Sequence, residues 1–136
     1  MPAAKRSFEL SLLPETFAIC RLSPEAVVPE WATRGQFFSI TRTREELSVI
    51  AETAFVPENL LPKLSWRVMK VHGPFNLSEV GVLAALVAPL AGAGVSVFTI
   101  STFDTDYLLV QCIQLREAIT AFRHAGHTVH QAKAIS

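Results

Sequence analysis

Glu79, Asp104 and Asp106 are the side chains of this sequence whose types and spacing point most directly to binding chemistry. Carboxylates grouped at one place can hold an ammonium or a guanidinium through charge-assisted hydrogen bonds. Glu79 lies in Gly73–Gly81, which reads as a loop leading into a helix. Asp104 and Asp106 lie in the short polar turn Phe103-Asp104-Thr105-Asp106. A helix start offers free backbone N–H groups and the positive end of the helix dipole, both suited to a carboxylate. Gly81, one turn into that helix, would let a ligand or another backbone approach closely. Together these groups could hold a zwitterion. A plainer reading stays open beside it, in which Glu79 caps the helix, the aspartates shape a turn and Gly81 is a packing contact.

Other combinations are weaker. His124, His127 and His130 are spaced like metal ligands, but Gly126 breaks the helix between them. In a strand, His127 and His130 would point to opposite faces. They read as solvated or edge histidines, and no metal site is expected. Asp104-Thr105-Asp106 lacks the glycine and later acidic ligand of a calcium loop. GxSxG, GxxxxGKS and GxGxxG are all absent. Neither an enzyme nor a cofactor is expected.

The elements that must position the carboxylates are legible nearby. Val95–Val110 reads as two β-branched and aromatic strands around the polar turn. Asn76 and Glu79 are spaced as a capping box, predicting a helix from Asn76 to about Leu90. Val80, Leu83, Val87 and Leu90 form one stripe of that helix. Val82, Ala85, Leu86 and Pro89 occupy much of the rest, so both sides should be covered, one of them by the first half or another subunit. Ser65–His72 reads as a strand before the helix. Leu115–Ala125 reads as an amphipathic helix ended by Gly126, and His127–Gln131 as a last edge strand. The order β-α-β-β-α-β is the split βαβ of ferredoxin-like domains.

The first half repeats this plan imperfectly. Phe8–Leu13 and Thr16–Leu22 read as a hairpin around Pro14-Glu15. Ser23-Pro24-Glu25 should start a brief helix, with Ser23 as its N-cap. Phe37–Arg42 and Leu47–Ala54 read as strands joined by the turn Thr43–Glu46, and Val56–Lys63 as a linker.

Composition narrows the function. Half of the 136 residues are apolar, 18% are charged, and twelve basic residues balance twelve acidic ones. No nucleic-acid or acidic-membrane surface follows from that balance. Val80–Phe103 runs 24 residues without a charge, but Pro89, Gly92 and Gly94 interrupt it. A buried helix and strand are expected there, and no membrane span. The N-terminus MPAAKRSFELSLLPE does not read as a signal peptide. Cys20 and Cys112 read as two reduced, buried thiols, consistent with a cytoplasmic protein.

The residues FTISTFDTDYLLV at Phe98–Val110, preceded by Glu79–Ala84 and Pro89–Val95, resemble the ACT-domain family. More narrowly, they are similar to small bacterial tandem ACT proteins related to the animal cytosolic arginine sensors. FFSITRTREELSVI at Phe37–Ile50 resembles the first domain of that branch. The resemblance implies an α+β chain of two ferredoxin-like ACT domains, at 7–63 and 64–133, the first degenerate, with antiparallel sheets covered by helices. It also implies an allosteric, regulatory module that binds an amino acid at a domain or subunit interface. The expected ligand-binding residues are Gly73, Phe75, Asn76, Glu79, Gly81, Ser101, Thr102, Phe103, Asp104 and Asp106, of which the resemblance implies the loop Gly73–Asn76, Glu79 and Asp106, while the reading of the helix start and hairpin turn supplies the rest. Glu79 would correspond to the family's acidic residue at the helix start, and Asp106 to the acidic residue after the turn. The arginine sensors contain two such pairs, so one pair implies a homodimer. An interaction module without a ligand is the alternative, and Arg34, Arg42, Arg44 and Arg67 could serve a partner.

Overall fold

The computed structural model describes residues 6–76 and 78–131. The expectations for the extreme N-terminus and for the end of the second domain at 133 fall partly outside these residues. In chain order the strands are β1 (Glu9–Leu12), β2 (Phe17–Leu22), β3 (Ser39–Arg42), β4 (Leu47–Glu52), β5 (Trp66–Val71), β6 (Val97–Ser101), β7 (Asp106–Gln111) and β8 (Thr128–His130). The helices are α1 (Val82–Gly92) and α2 (Leu115–His124). The chain divides into two compact units, one of Glu15–Arg67 and one of the flanking segments up to Pro14 and from Val68 onward.

In the unit Glu15–Arg67, β2 and β4 pair antiparallel along their whole lengths, and β3 adds to the other edge of β4. Ala18 and Cys20 of β2 and Leu47, Val49 and Ala51 of β4 face one apolar core with Ala32 and Val56. Burial raises the Cys20 thiol above its usual pKa. The helix expected from Ser23 is instead a turn, in which the Ala26 N–H donates to the Ser23 carbonyl at 3.0 Å. A 3-10 turn follows at Glu30–Thr33, behind Pro29. Arg42 explains part of this shift: its guanidinium donates to the Pro24 and Ala26 carbonyls, holding that stretch against β3. That arginine is engaged within its own unit, and Arg34 pairs with Glu30. The expected linker also contains a 3-10 turn, Glu58–Leu60.

The other unit carries the β-α-β-β-α-β order from β5 to β8, with one addition. β1 pairs antiparallel with β5 and parallel with β8, so it lies between the first and last strands of the motif. The expected hairpin of the first two strands therefore does not form. Pro14-Glu15 has turn chemistry, but long-range pairing decides the partners, and β1 belongs with the second unit rather than the first. Leu10 and Leu12 of β1, Met69 and Val71 of β5, and Leu108 and Val110 of β7 are buried together. They meet Val82, Leu86 and Leu90 of α1 and Ala118, Ile119 and Phe122 of α2. The period-two and helical patterns thus converge on one core.

Helix α1 departs from expectation at its start. It begins at Val82, and Val80 is 86% exposed rather than part of the buried stripe. Its outward positions are Ala84, Ala88 and Ala91, all exposed. Small alanines expose little apolar area, so this face does not demand the cover that the composition implied. The charge-free run divides into α1 and β6, and among the described residues no helix is long and apolar enough to cross a membrane. Cys112 sits in a 3-10 turn after β7 and is half-buried, not buried as expected.

Candidate functional site

The hairpin places the aspartates. β6 and β7 pair from Val97–Val110 to Ser101–Asp106, which leaves Thr102–Thr105 as the connecting loop. Within it, the Thr102 N–H donates to the Thr105 carbonyl at 2.8 Å, and the Thr102 hydroxyl donates to the same carbonyl at 3.0 Å. Thr105 is buried, and its hydroxyl donates to the Val71 carbonyl at 2.6 Å, tying the loop to the end of β5. Asp106 opens β7, where its Oδ1 accepts the Ser101 hydroxyl at 2.6 Å.

The segment after β5 folds against this loop. Gly73-Pro74 is a cis peptide. A Cβ at Gly73 would lie 3.0 Å from the Asp104 carbonyl oxygen, so the backbones approach at a distance that favours glycine. Next to it, the Phe75 N–H donates to that carbonyl at 2.7 Å. The Phe75 ring meets Phe8 edge-on at 5.8 Å.

Asn76 and Glu79 do not form the expected capping box. The Asn76 Oδ1 accepts the Ser78 N–H at 3.1 Å and the Ser78 hydroxyl at 3.0 Å, and the Asn76 carbonyl accepts the Glu79 N–H at 2.9 Å. This is a local Asx-type turn. The N-cap of α1 is Gly81, with φ +86°. A left-handed residue interrupts any helix begun at Asn76, and glycine adopts it without the cost an L side chain would meet. Gly81 is therefore not one turn inside the helix. A Cβ there would meet nothing within 4 Å, so the position calls for conformational freedom and not for close packing of its own chain. The Glu79 carboxylate reaches Arg6 at 3.0 Å instead, and the Arg6 guanidinium lies over the Phe8 ring, 4.9 Å from its centre.

These pieces enclose an open cavity of about 300 Å³, at the lower end of the size range of small-molecule sites. Phe75, Asn76, Glu79, Gly81, Ser101, Thr102, Phe103, Asp104 and Asp106 all line it. Gly73 lines the adjoining cleft with His72, Pro74 and Asp104. Sequence reasoning missed four lining residues: Val82, Leu83 and Ala84, which begin α1, and Thr105. The first three contribute the free N–H groups of the helix start. Three carboxylates with this helix start can receive a cation and an anion side by side.

The histidines distribute differently from their spacing. His124 is exposed on α2. His127 is buried, and its Nδ1 accepts the Phe8 N–H at 3.1 Å, which leaves Nε2 to donate to the Ala85 carbonyl at 3.3 Å. It is a core histidine, neither solvated nor at an edge. His130 is exposed on β8.

A family model described as the ACT domain matches residues 63–124. A crystal structure of an Agrobacterium tumefaciens protein superposes with a TM-score of 0.86 and 32% identity, covering 96% of this chain and 98% of that one. The chain belongs to the ACT-domain family. A second model, described as an N-terminal domain, matches residues 15–59, ahead of the ACT domain. The human cytosolic arginine sensor for mTORC1 subunit 1 is 35% identical over 82 residues, 54% of this chain and 25% of the sensor. Human CASTOR3P is 35% identical over 91 residues, 57% of this chain and 56% of that protein. The chain thus spans about a quarter to a half of the curated relatives it matches.

Proposed function

We propose that this ACT-domain chain is a non-enzymatic, cytoplasmic regulatory module that binds an amino acid in the Phe75–Asp106 cavity. The observation that carries this reading is that Glu79, Asp104 and Asp106 line one cavity together with the start of α1. The free N–H groups of Val82–Ala84 suit the ligand's carboxylate, and the acidic side chains suit its ammonium or a basic side chain. Glu79 already engages a guanidinium, that of Arg6. This favours a basic amino acid, and the naming of a relative as an arginine sensor makes L-arginine the first ligand to try.

A homodimer would complete the site and report its occupancy. Phe103 lines the cavity at 77% exposure, and Val80 stands beside it in sequence at 86%. Two large apolar side chains held in water, one of them lining the cavity, favour a covering partner, and a second copy supplies one. No nucleic acid or membrane enters this reading.

Calorimetric titration with L-arginine and then the other standard amino acids tests the site. For the amino acid that binds, Glu79→Ala and Asp106→Asn should each weaken affinity about 10- to 100-fold, the usual worth of a charge-assisted hydrogen bond. Unchanged affinity in both variants would refute this location.

A further inference from the structure

The outer face of the second unit's sheet brings together side chains that are far apart in sequence. Strand alternation sends Leu10 and Leu12 of β1 into the core and Glu9 and Ser11 outward. β1 runs between β5 and β8, with Ser11 opposite both Lys70 and His130. His72, just after β5, and His130, on β8, lean toward each other across β1 from either side. Their rings stack with centres 5.3 Å apart and planes 19° apart. The His130 Nε2 lies 2.8 Å from the Glu9 carboxylate, and the His72 Nε2 lies 2.5 Å from the Ser11 hydroxyl. One ligand atom each from Glu9, His72 and His130 falls within 4.8 Å of the other two.

We propose that Glu9, His72 and His130 form a surface site for a divalent transition-metal ion of the zinc class. Two imidazoles and one carboxylate are a donor set suited to such ions, and three protein ligands leave a position open to water. Ligand atoms around a tetrahedral zinc stand about 3.4 Å apart, given bond lengths near 2.0–2.2 Å. Closing from at most 4.8 Å needs side-chain rotation of about 1 Å, which these exposed residues can make without moving the strands. With the ion on Nδ1, the His72 Nε2–H would keep the Ser11 hydroxyl as its partner, a second contact of the kind metal-binding imidazoles commonly make. Lys70 is the opposing charge on this face, and the Glu9 carboxylate offsets it. His72 also immediately precedes Gly73-Pro74-Phe75, so an ion here would anchor the start of the loop that lines the cavity.

Calorimetric titration of the tag-free full chain with Zn²⁺, and separately with Ni²⁺, tests the site. One ion per chain is expected. His72→Ala and His130→Ala should each weaken binding at least 10-fold, while His124→Ala, on exposed α2, should leave it unchanged. All three positions are exposed, and circular dichroism checks that each variant is folded. Failure of the unaltered chain to bind either ion would overturn the proposal. So would binding that survives both His72→Ala and His130→Ala, or that falls equally in His124→Ala. None of these results depends on whether the neighbouring cavity binds an amino acid.

Discussion

Replacing Gly81 by alanine separates the backbone requirement of the site from its contacts. Gly81 sits at φ +86° as the N-cap of α1. Placing an L residue there costs about 1–2 kcal/mol. The lower entropy of the unfolded chain returns about 0.4–1 kcal/mol of that. No clash adds to the sum, because an added Cβ meets nothing within 4 Å. The net loss should therefore be about 1 kcal/mol. With an unfolding entropy of about 2.1 cal/mol/K per residue, that lowers Tm by about 3–4 °C for this chain. Urea unfolding should show a lower midpoint with an unchanged slope. Gly81→Asn should lose less, since asparagine tolerates the left-handed region better. A loss above about 3 kcal/mol would show instead that the methyl group meets packed atoms. A gain in stability would show that the chain does not hold this conformation.

Two further predictions concern charge. Arg6→Ala removes a half-exposed ion pair with Glu79, worth about 0.2–1 kcal/mol, and the stacking on Phe8, worth about 0.5–1 kcal/mol, so stability should fall by no more than about 2 kcal/mol. Because Arg6 occupies the carboxylate that a basic ligand would use, L-arginine should bind up to about 5-fold tighter to this variant by calorimetry, since 1 kcal/mol is about a factor of five. Weaker binding would place Arg6 on the ligand's side instead. The Glu9 carboxyl is held below its usual 4.5, first by its hydrogen bond to His130 and then by the charges of His130 and His72. A lowered folded-state pKa means that this contribution to stability is present above the unfolded value and is lost as pH falls through the folded one. An NMR titration should find Glu9 below 4.5 and return it toward that value in His130→Ala; an unshifted carboxyl in the unaltered chain would contradict the pairing.

Local chemistry made much of the second unit legible. The β-branched run around Phe103–Asp106 folds as a hairpin, and Leu115–His124 buries its apolar stripe before Gly126 ends it. Nine of the ten expected binding residues line one cavity because they follow from that hairpin and from the approach to the helix. The errors arose where two local signals competed or where distance decided. Asn76 and Glu79 had capping-box spacing, yet the left-handed Gly81 sets the helix start five residues later. Pro14-Glu15 had turn chemistry, yet β1 finds its partners in β5 and β8. Spacing along the chain says little about where the histidines meet. His127 goes to the core, and His130 meets Glu9 across 121 residues, a juxtaposition that strand order alone creates.

Amino-acid binding in the Phe75–Asp106 cavity is tested first by thermal unfolding of the full chain against the twenty standard amino acids, including L-arginine. A ligand at 100 times its dissociation constant stabilises by about 2.7 kcal/mol, or roughly 8–10 °C for a chain of this size. A selective rise is expected for one amino acid or one chemical class, with basic amino acids foremost, and it should be lost in Glu79→Ala. A flat panel from a chain that forms a stable dimer would rule out amino-acid binding, leaving an interaction module whose exposed Val80 and Phe103 serve only the subunit contact.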